Sequence, residues 1–255
     1  MIGKIYWGHK MTNIVGIVQA RLGSTRLPNK VIKKLGNKTI LEILLNRLIK
    51  SKTISRIVIA TTTKKEDDII EKIALNSGFE VFRGSEKDVL DRYYNAAREY
   101  NAGIIVRITA DNPLTDVDLI DSQVEFLIEG GYDYVTAKGI ILGLGSEVFT
   151  LNTLKKAWEN AKEKYLREHV TPYIYENPEM FKLGYVDPPD FLKREDIRLT
   201  IDTIEDFKLY QMLYHYFRNL VNVDIREVIK FLDENPNIKE INKAIRQKNY
   251  EEVEE

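Results

Sequence analysis

The chain reads as an α/β protein built on a mainly parallel central sheet with helices on both faces. Three observations predict it. Short apolar runs alternate with amphipathic stretches along most of the 255 residues. The runs "NIVGIVQA", "RIVIATT" and "GIIVRIT" are apolar nearly throughout, as strands buried on both faces are. The loops after the first and third runs carry clustered charge, and ligands of such sheets bind at the carboxyl ends of strands.

Each element follows in order. "NIVGIVQA" (13–20) is a β-rich run. "TILEILLNRLIKSK" places Leu41, Leu44, Leu45 and Leu48 on one helical face, and Thr39 with Glu42 makes a capping box at its start. "RIVIATT" (strand), "EDDIIEKIALNSG" (helix) and "EVFRG" (strand) come next. "SEKDVLDRYYNAAREYN" is a helix opened by a second capping box, Ser85 and Asp88. "GIIVRIT" ends at "ADNPLTD", and "VDLIDSQVEFLIEGG" is the following helix. After "YDYVTA" the pattern loosens into "GIILGLGSEVF", a mostly helical 154–181 interrupted at Pro172 and Pro178, and a strand, loop, strand over 182–203. Helices at "EDFKLYQMLYHYF", "IREVIKFLDEN" and "IKEINKAIRQKN" close the chain. With no repeat and no Pro/Gly/Ser linker, the expectation is one domain over 1–255. Residues 1–12 form a flexible extension, 138–190 an inserted arm, and 220–255 a helical C-terminal segment.

Composition removes several classes of function. Hydrophobic residues make up 44% and charged residues 30%, which is globular. A formal net charge of −1 indicates no general affinity for nucleic acid, so local basic clusters need a local explanation. There is no cysteine, which excludes disulfides, thiolate metal sites and cysteine nucleophiles. Three histidines leave little room for a histidine metal site. No apolar run approaches the ~18 residues of a membrane span, and the first residues lack the apolar core of a signal peptide. A cytoplasmic protein without membrane or nucleic-acid partners is expected.

Three strand-end clusters carry the chemistry. In "QARLGSTRLPNKVIKKLG", Arg21, Arg26 and Lys30 surround Gly23, Ser24 and Pro28. Such a loop after a strand presents backbone N–H groups and cations to a polyphosphate. The alternative is a solvated loop whose cations pair with surface acids. No Gly-Lys-Ser/Thr follows, so it is not a Walker A loop. In "RITADNPLTD", Asp111 sits just past a buried strand, where a carboxylate suits a hard cation such as Mg²⁺; Asp116 and Asp118 are placed to cap the next helix. In "RLTIDTIEDF", Asp202 ends an apolar strand, while Thr203 and Asp206 cap the next helix. A fourth cluster, "YLREHVTPYIY", puts Arg167 and His169 beside Glu168 on a helix interrupted by Pro172; on its own His169 reads as a core histidine bonded to backbone. The 14 tyrosines show no basic interleaving of the kind that stacks bases.

These residues carry a resemblance. "ARLGSTRLPNK" is similar to the nucleotide-binding signature of the sugar-acid cytidylyltransferases, which include CMP-KDO synthetase, CMP-sialic acid synthetase and a spore-coat polysaccharide branch. "EDD" at 66–68, "VFRGSEKDVLDRYYNAA", "VRITADNPL", "SEVF", "REHVTPYIY" and "RLTIDTIEDF" continue the likeness to the spore-coat branch in order, over about residues 13 to 215. Thr109-Ala110 stands where CMP-KDO synthetases have Gln-Gly, which favours the spore-coat branch.

The resemblance implies a Rossmann-like nucleotidyltransferase fold, a homodimer, and transfer of CMP from CTP to a small anionic acceptor with release of pyrophosphate. It implies that Arg21, Lys30 and Asp111 are catalytic, and that Ala20, Arg21, Gly23, Ser24, Arg26, Lys30, Arg83, Ser85 and Thr109 bind the nucleotide. Glu147, Arg167 and His169 would face the acceptor, and Asp111 with Asp202 would hold Mg²⁺. Two rival readings are a nucleotidyltransferase acting on a sugar 1-phosphate or other phosphorylated acceptor, and a non-catalytic nucleotide-binding regulator.

Overall fold

The computed structural model describes residues 6–7 and 10–247. The seven strands of its central sheet are β1 (Ile14–Gln19), β2 (Arg56–Thr62), β3 (Glu80–Gly84), β4 (Ile104–Thr109), β5 (Tyr134–Ala137), β6 (Glu147–Thr150) and β7 (Leu183–Val186). Their order across the sheet is β7-β5-β6-β4-β1-β2-β3. β6 alone runs antiparallel to its neighbours β4 and β5; the other pairings are parallel. The helices are α1 (Ile40–Leu48), α2 (Asp68–Asn76), α3 (Val89–Glu99), α4 (Val117–Gly130), α5 (Leu151–Asn160), α6 (Lys164–His169), α7 (Pro172–Tyr175), α8 (Ile204–Phe217), α9 (Ile225–Glu234) and α10 (Pro236–Lys239).

The two-residue period of a strand sends successive side chains to opposite faces, and the core divides accordingly. Ile14 and Val18 of β1 and Ile104, Val106 and Ile108 of β4 pack under α1, α2 and α4. Val15, Ile17 and Ile105 pack under α3 and α5–α7. A third cluster, formed by α8, α9 and the extended stretch around Leu199, covers the sheet's C-terminal end. The mainly parallel sheet with helices on both faces is therefore present. Of the 138–190 stretch expected as an arm, residues 147–150 form β6 within the sheet, and Leu154, Leu166, Ile174 and Phe181 belong to the core.

Several expectations need correction. Thr39/Glu42 and Thr203/Asp206 make both arms of their capping boxes, but Ser85 does not cap α3. Asp88 caps it, accepting from the Asp91 N–H, while the Ser85 hydroxyl accepts from the Asp88 N–H. The 154–181 stretch breaks at 161–163 and at Val170, and Pro172 opens α7 rather than ending a helix. "RLTID" is extended but not a sheet strand; a single bridge joins Arg198 to Leu142, because this stretch lies over the sheet end in the third cluster. "IKEINKAIRQKN" shortens to the end of α10 and a 3-10 turn over Glu240–Asn242. The expected flexible extension over 1–12 and the last residues of the C-terminal segment fall largely outside the described residues.

Candidate active site

β1 and β4 are adjacent and in register, with Gln19 opposite Thr109, so the loops that leave them face the same space. The first loop is built by its own bonds. The Leu22 N–H donates to Asp67 Oδ1 (2.8 Å), and the Ser24 and Asn29 N–H groups donate to the Leu22 carbonyl (2.7 and 3.3 Å). The N–H groups of Leu22 and Ser24 are thus used internally and are not presented to a ligand. Asn29 takes the left-handed conformation, φ 59°, which Asn tolerates better than most residues. It opens the short 3-10 turn Lys30–Ile32, and this carries the Lys30 side chain into the cleft.

There Lys30 joins the two strand-end carboxylates. Its ammonium donates to Asp111 Oδ2 (2.6 Å) and to Asp202 Oδ1 (2.8 Å). Arg26 approaches Asp202 Oδ1 at 3.1 Å, and Arg198 donates to Asp202 Oδ2 at 2.8 Å. Burial opposes charge at Lys30 and Asp202, but the pairings outweigh it. The Asp202 carboxyl is held below its ordinary value by Lys30, Arg26 and Arg198, and Lys30 lies above its own because of Asp111 and Asp202. Lys30 and Asp202 are therefore both held in their charged forms at neutral pH.

The cleft measures about 330 Å³ and is lined by five cationic side chains, Arg21, Arg26, Lys30, Arg92 and Arg107, against three carboxylates, Asp111, Glu168 and Asp202. That excess suits a polyanion. Ala20, Gly23, Ser24 and Thr109 line it as expected, and so does His169, whose imidazole burial holds below its ordinary value against the pull of Glu168. Arg21 lies 3.6 Å from Glu168.

Four expected residues are not on the cleft wall. Arg83 donates to the carbonyls of Thr62 (2.8 Å) and Lys64 (2.7 Å) and pairs with Asp68 and Glu71 (2.6 and 2.8 Å); it secures β3 to the start of α2. Ser85 supports the turn before α3. Arg167 donates to Asp88 Oδ2 (2.6 Å) and to the carbonyls of Trp158 (3.0 Å) and Ala161 (3.1 Å), tying α6 to α3 and α5. Glu147 lies directly across the β4–β6 ladder from Arg107 and pairs with it, while accepting from the Tyr134 hydroxyl. It acts on the cleft only through Arg107.

Arg92 and Arg107 were missed, yet each leaves a signal. Arg107 interrupts an apolar strand, and Arg92 follows Val89 by three residues and precedes Ala96 by four, on the apolar stripe of its helix. Gln247 also reaches the cleft and accepts from Arg198 (2.8 Å). No sequence pattern marks it.

Fold and cleft together define a nucleotidyltransferase of the α/β class. Residues 15–248 match the cytidylyltransferase family model, and the chain belongs to that family. An uncharacterised protein of Methanocaldococcus jannaschii is 64% identical over 95% of this chain and 99% of its own length. The spore coat polysaccharide biosynthesis protein SpsF of Bacillus subtilis is 38% identical over 89% of this chain and 96% of its own. Among solved structures, a cytidylyltransferase from Leptospira borgpetersenii superposes with a TM-score of 0.85 at 36% identity, covering 92% of this chain and 100% of that one. A CMP:2-keto-3-deoxy-manno-octonic acid synthetase in complex with CTP shares the fold at a TM-score of 0.59 and 11% identity, over 80% of this chain and 99% of the other. Among the described residues no helix is long and apolar enough to cross a membrane.

Proposed function

We propose that the cleft binds CTP and transfers CMP to a small anionic acceptor, a sugar acid or a chemically similar molecule, releasing pyrophosphate. The observation that carries this is the Lys30 ammonium held between Asp111 and Asp202 in a cleft with excess positive charge. An acceptor oxygen forms a bond to the α-phosphorus while the bond to the pyrophosphate oxygen breaks. Arg21, Arg26 and Lys30 take up the charge that develops on the phosphates, the kind of stabilisation typically worth ~3 kcal/mol for one well-placed group. Holding the two reactants in one cleft supplies much of the remainder.

Asp111 and Asp202 would hold Mg²⁺. The donor set fits: two carboxylates converge on one cation position, filled in the protein alone by an ammonium, and Mg²⁺ is commonly bound through one or two carboxylates plus phosphates. Among the described residues no cluster of three or more acidic, histidine or cysteine side chains is placed to hold a metal. When bound, the ion would neutralise phosphate charge.

The two carboxylates also favour an enzyme over a nucleotide-binding regulator, which has no need of a metal pair. A cytoplasmic homodimer fits the same reading. Incubation with each of the four NTPs, Mg²⁺ and a panel of sugar acids and sugar phosphates, with pyrophosphate release as the readout, tests it. Release with CTP and a sugar acid is expected. Purine preference, or turnover only with sugar 1-phosphates, would overturn it.

A further inference from the structure

Arg92 is 1% exposed, lies on the first turn of α3, and lines the cleft. The absence of a side chain at Gly84 makes room for its stem, since a Cβ there would stand 3.1 Å from Arg92 Cγ. Its Nη1 donates to the Ser85 carbonyl, and its Nε is buried without a hydrogen-bond partner. Among the described residues no carboxylate lies within ion-pair distance of it. The two acids in its field are engaged elsewhere: Asp67 accepts from the Leu22 N–H and the Thr62 hydroxyl, and Glu86 pairs with Lys64 at 2.6 Å. Arg21 adds a second positive charge nearby. Arg47 and Arg107 also leave their Nε unpartnered, but each is better compensated through Nη1. Arg47 donates to three backbone carbonyls, and Arg107 has Glu147.

A buried guanidinium with one neutral acceptor is costly to maintain, because charge leaves water without compensation. The protein keeps one at the wall of a cleft that takes an anion. We infer that Arg92 is a nucleotide-binding residue whose missing partner is the phosphate chain of the nucleoside triphosphate, which it engages beside Arg21. This rests on the nucleotide reading above. It makes Arg92 a residue that costs stability in the empty protein and returns it on binding.

The test compares Arg92→Met, which keeps the volume and removes the charge, with Arg92→Lys, which keeps the charge and removes the fork. Melting temperature and calorimetric Kd for CTP and for pyrophosphate are measured without any acceptor. Arg92→Met should melt at or above the wild-type temperature and bind both ligands at least tenfold more weakly, with Arg92→Lys between it and wild type. A fall in melting temperature with unchanged Kd would show a purely structural residue, as would failure of both variants to fold. Unchanged binding of CTP and pyrophosphate with normal stability would place Arg92 outside the phosphate site. If the wild-type protein binds neither ligand, the nucleotide reading itself fails, a result distinct from failure of Arg92 alone.

Discussion

At the scale of single residues the cleft depends on charges that must be present together. Asp111→Asn and Asp202→Asn are each expected to abolish pyrophosphate release while leaving a folded protein, because each removes one of two carboxylates from the shared cation position. Near-wild-type turnover at saturating Mg²⁺ in either variant would refute that. Arg167 behaves differently. Its guanidinium joins Asp88 to two carbonyls, so Arg167→Ala should cost about 2 kcal/mol of stability in denaturant unfolding and leave the KM for the acceptor nearly unchanged. A selective rise in acceptor KM would return Arg167 to the acceptor site. This residue shows where sequence reading stops. "REH" names the right neighbourhood, since His169 and Glu168 both line the cleft, but which way an arginine turns depends on Asp88, 79 positions away. Arg83 is lost for the same reason, to carbonyls of a loop 19 and 21 residues earlier.

At the scale of elements, local signals sufficed where the local chain decides. Strands β2 and β3 were legible to the residue, because apolar runs bounded by polar turns leave little choice. The stretch before Asp202 was not. "RLTID" has strand composition, yet it is held by one bridge to Leu142 and by Leu199 N–H to Leu142 carbonyl bonding at 2.7 Å. Gly143, at φ +102°, allows that approach: a Cβ there would stand 2.3 Å from the Leu199 carbonyl carbon. Gly143→Ala is therefore expected to destabilise the protein by at least about 2 kcal/mol, through backbone strain and a clash that cannot be relieved by a rotamer. It should also lower turnover, because Asp202 lies three residues beyond Leu199. Unfolding curves and steady-state rates for this one variant check both, and a silent substitution would mean that the 198–202 stretch is not held through Gly143.

At the scale of the whole molecule, the cleft joins parts of the chain far apart in sequence, and stability should follow its ionisation. Asp202 has a folded-state value below the ordinary 3.8. The unfolded chain therefore takes up the proton first, and the stabilisation is present above that value and lost as pH falls through the folded one. Wild type should lose more stability than Asp202→Asn between pH 6 and pH 3, measured by urea unfolding; equal losses would mean that the ion cluster contributes nothing to folding. Lys30, raised above 10.5 by the same carboxylates, contributes stability present below that value and lost as pH rises beyond it. The end of the described chain adds a practical consequence. Gln247 touches Arg198, which holds Asp202, and Asn242 donates to the Arg198 carbonyl (3.1 Å) and to Asp206 (2.8 Å). The far end of the described residues therefore braces the carboxylate that Lys30 holds, and a chain cut back to remove Gln247 would lose one of those braces. Rates measured on such a shortened protein should fall below those of the full chain, and equal rates would mean that Gln247 does not support the site.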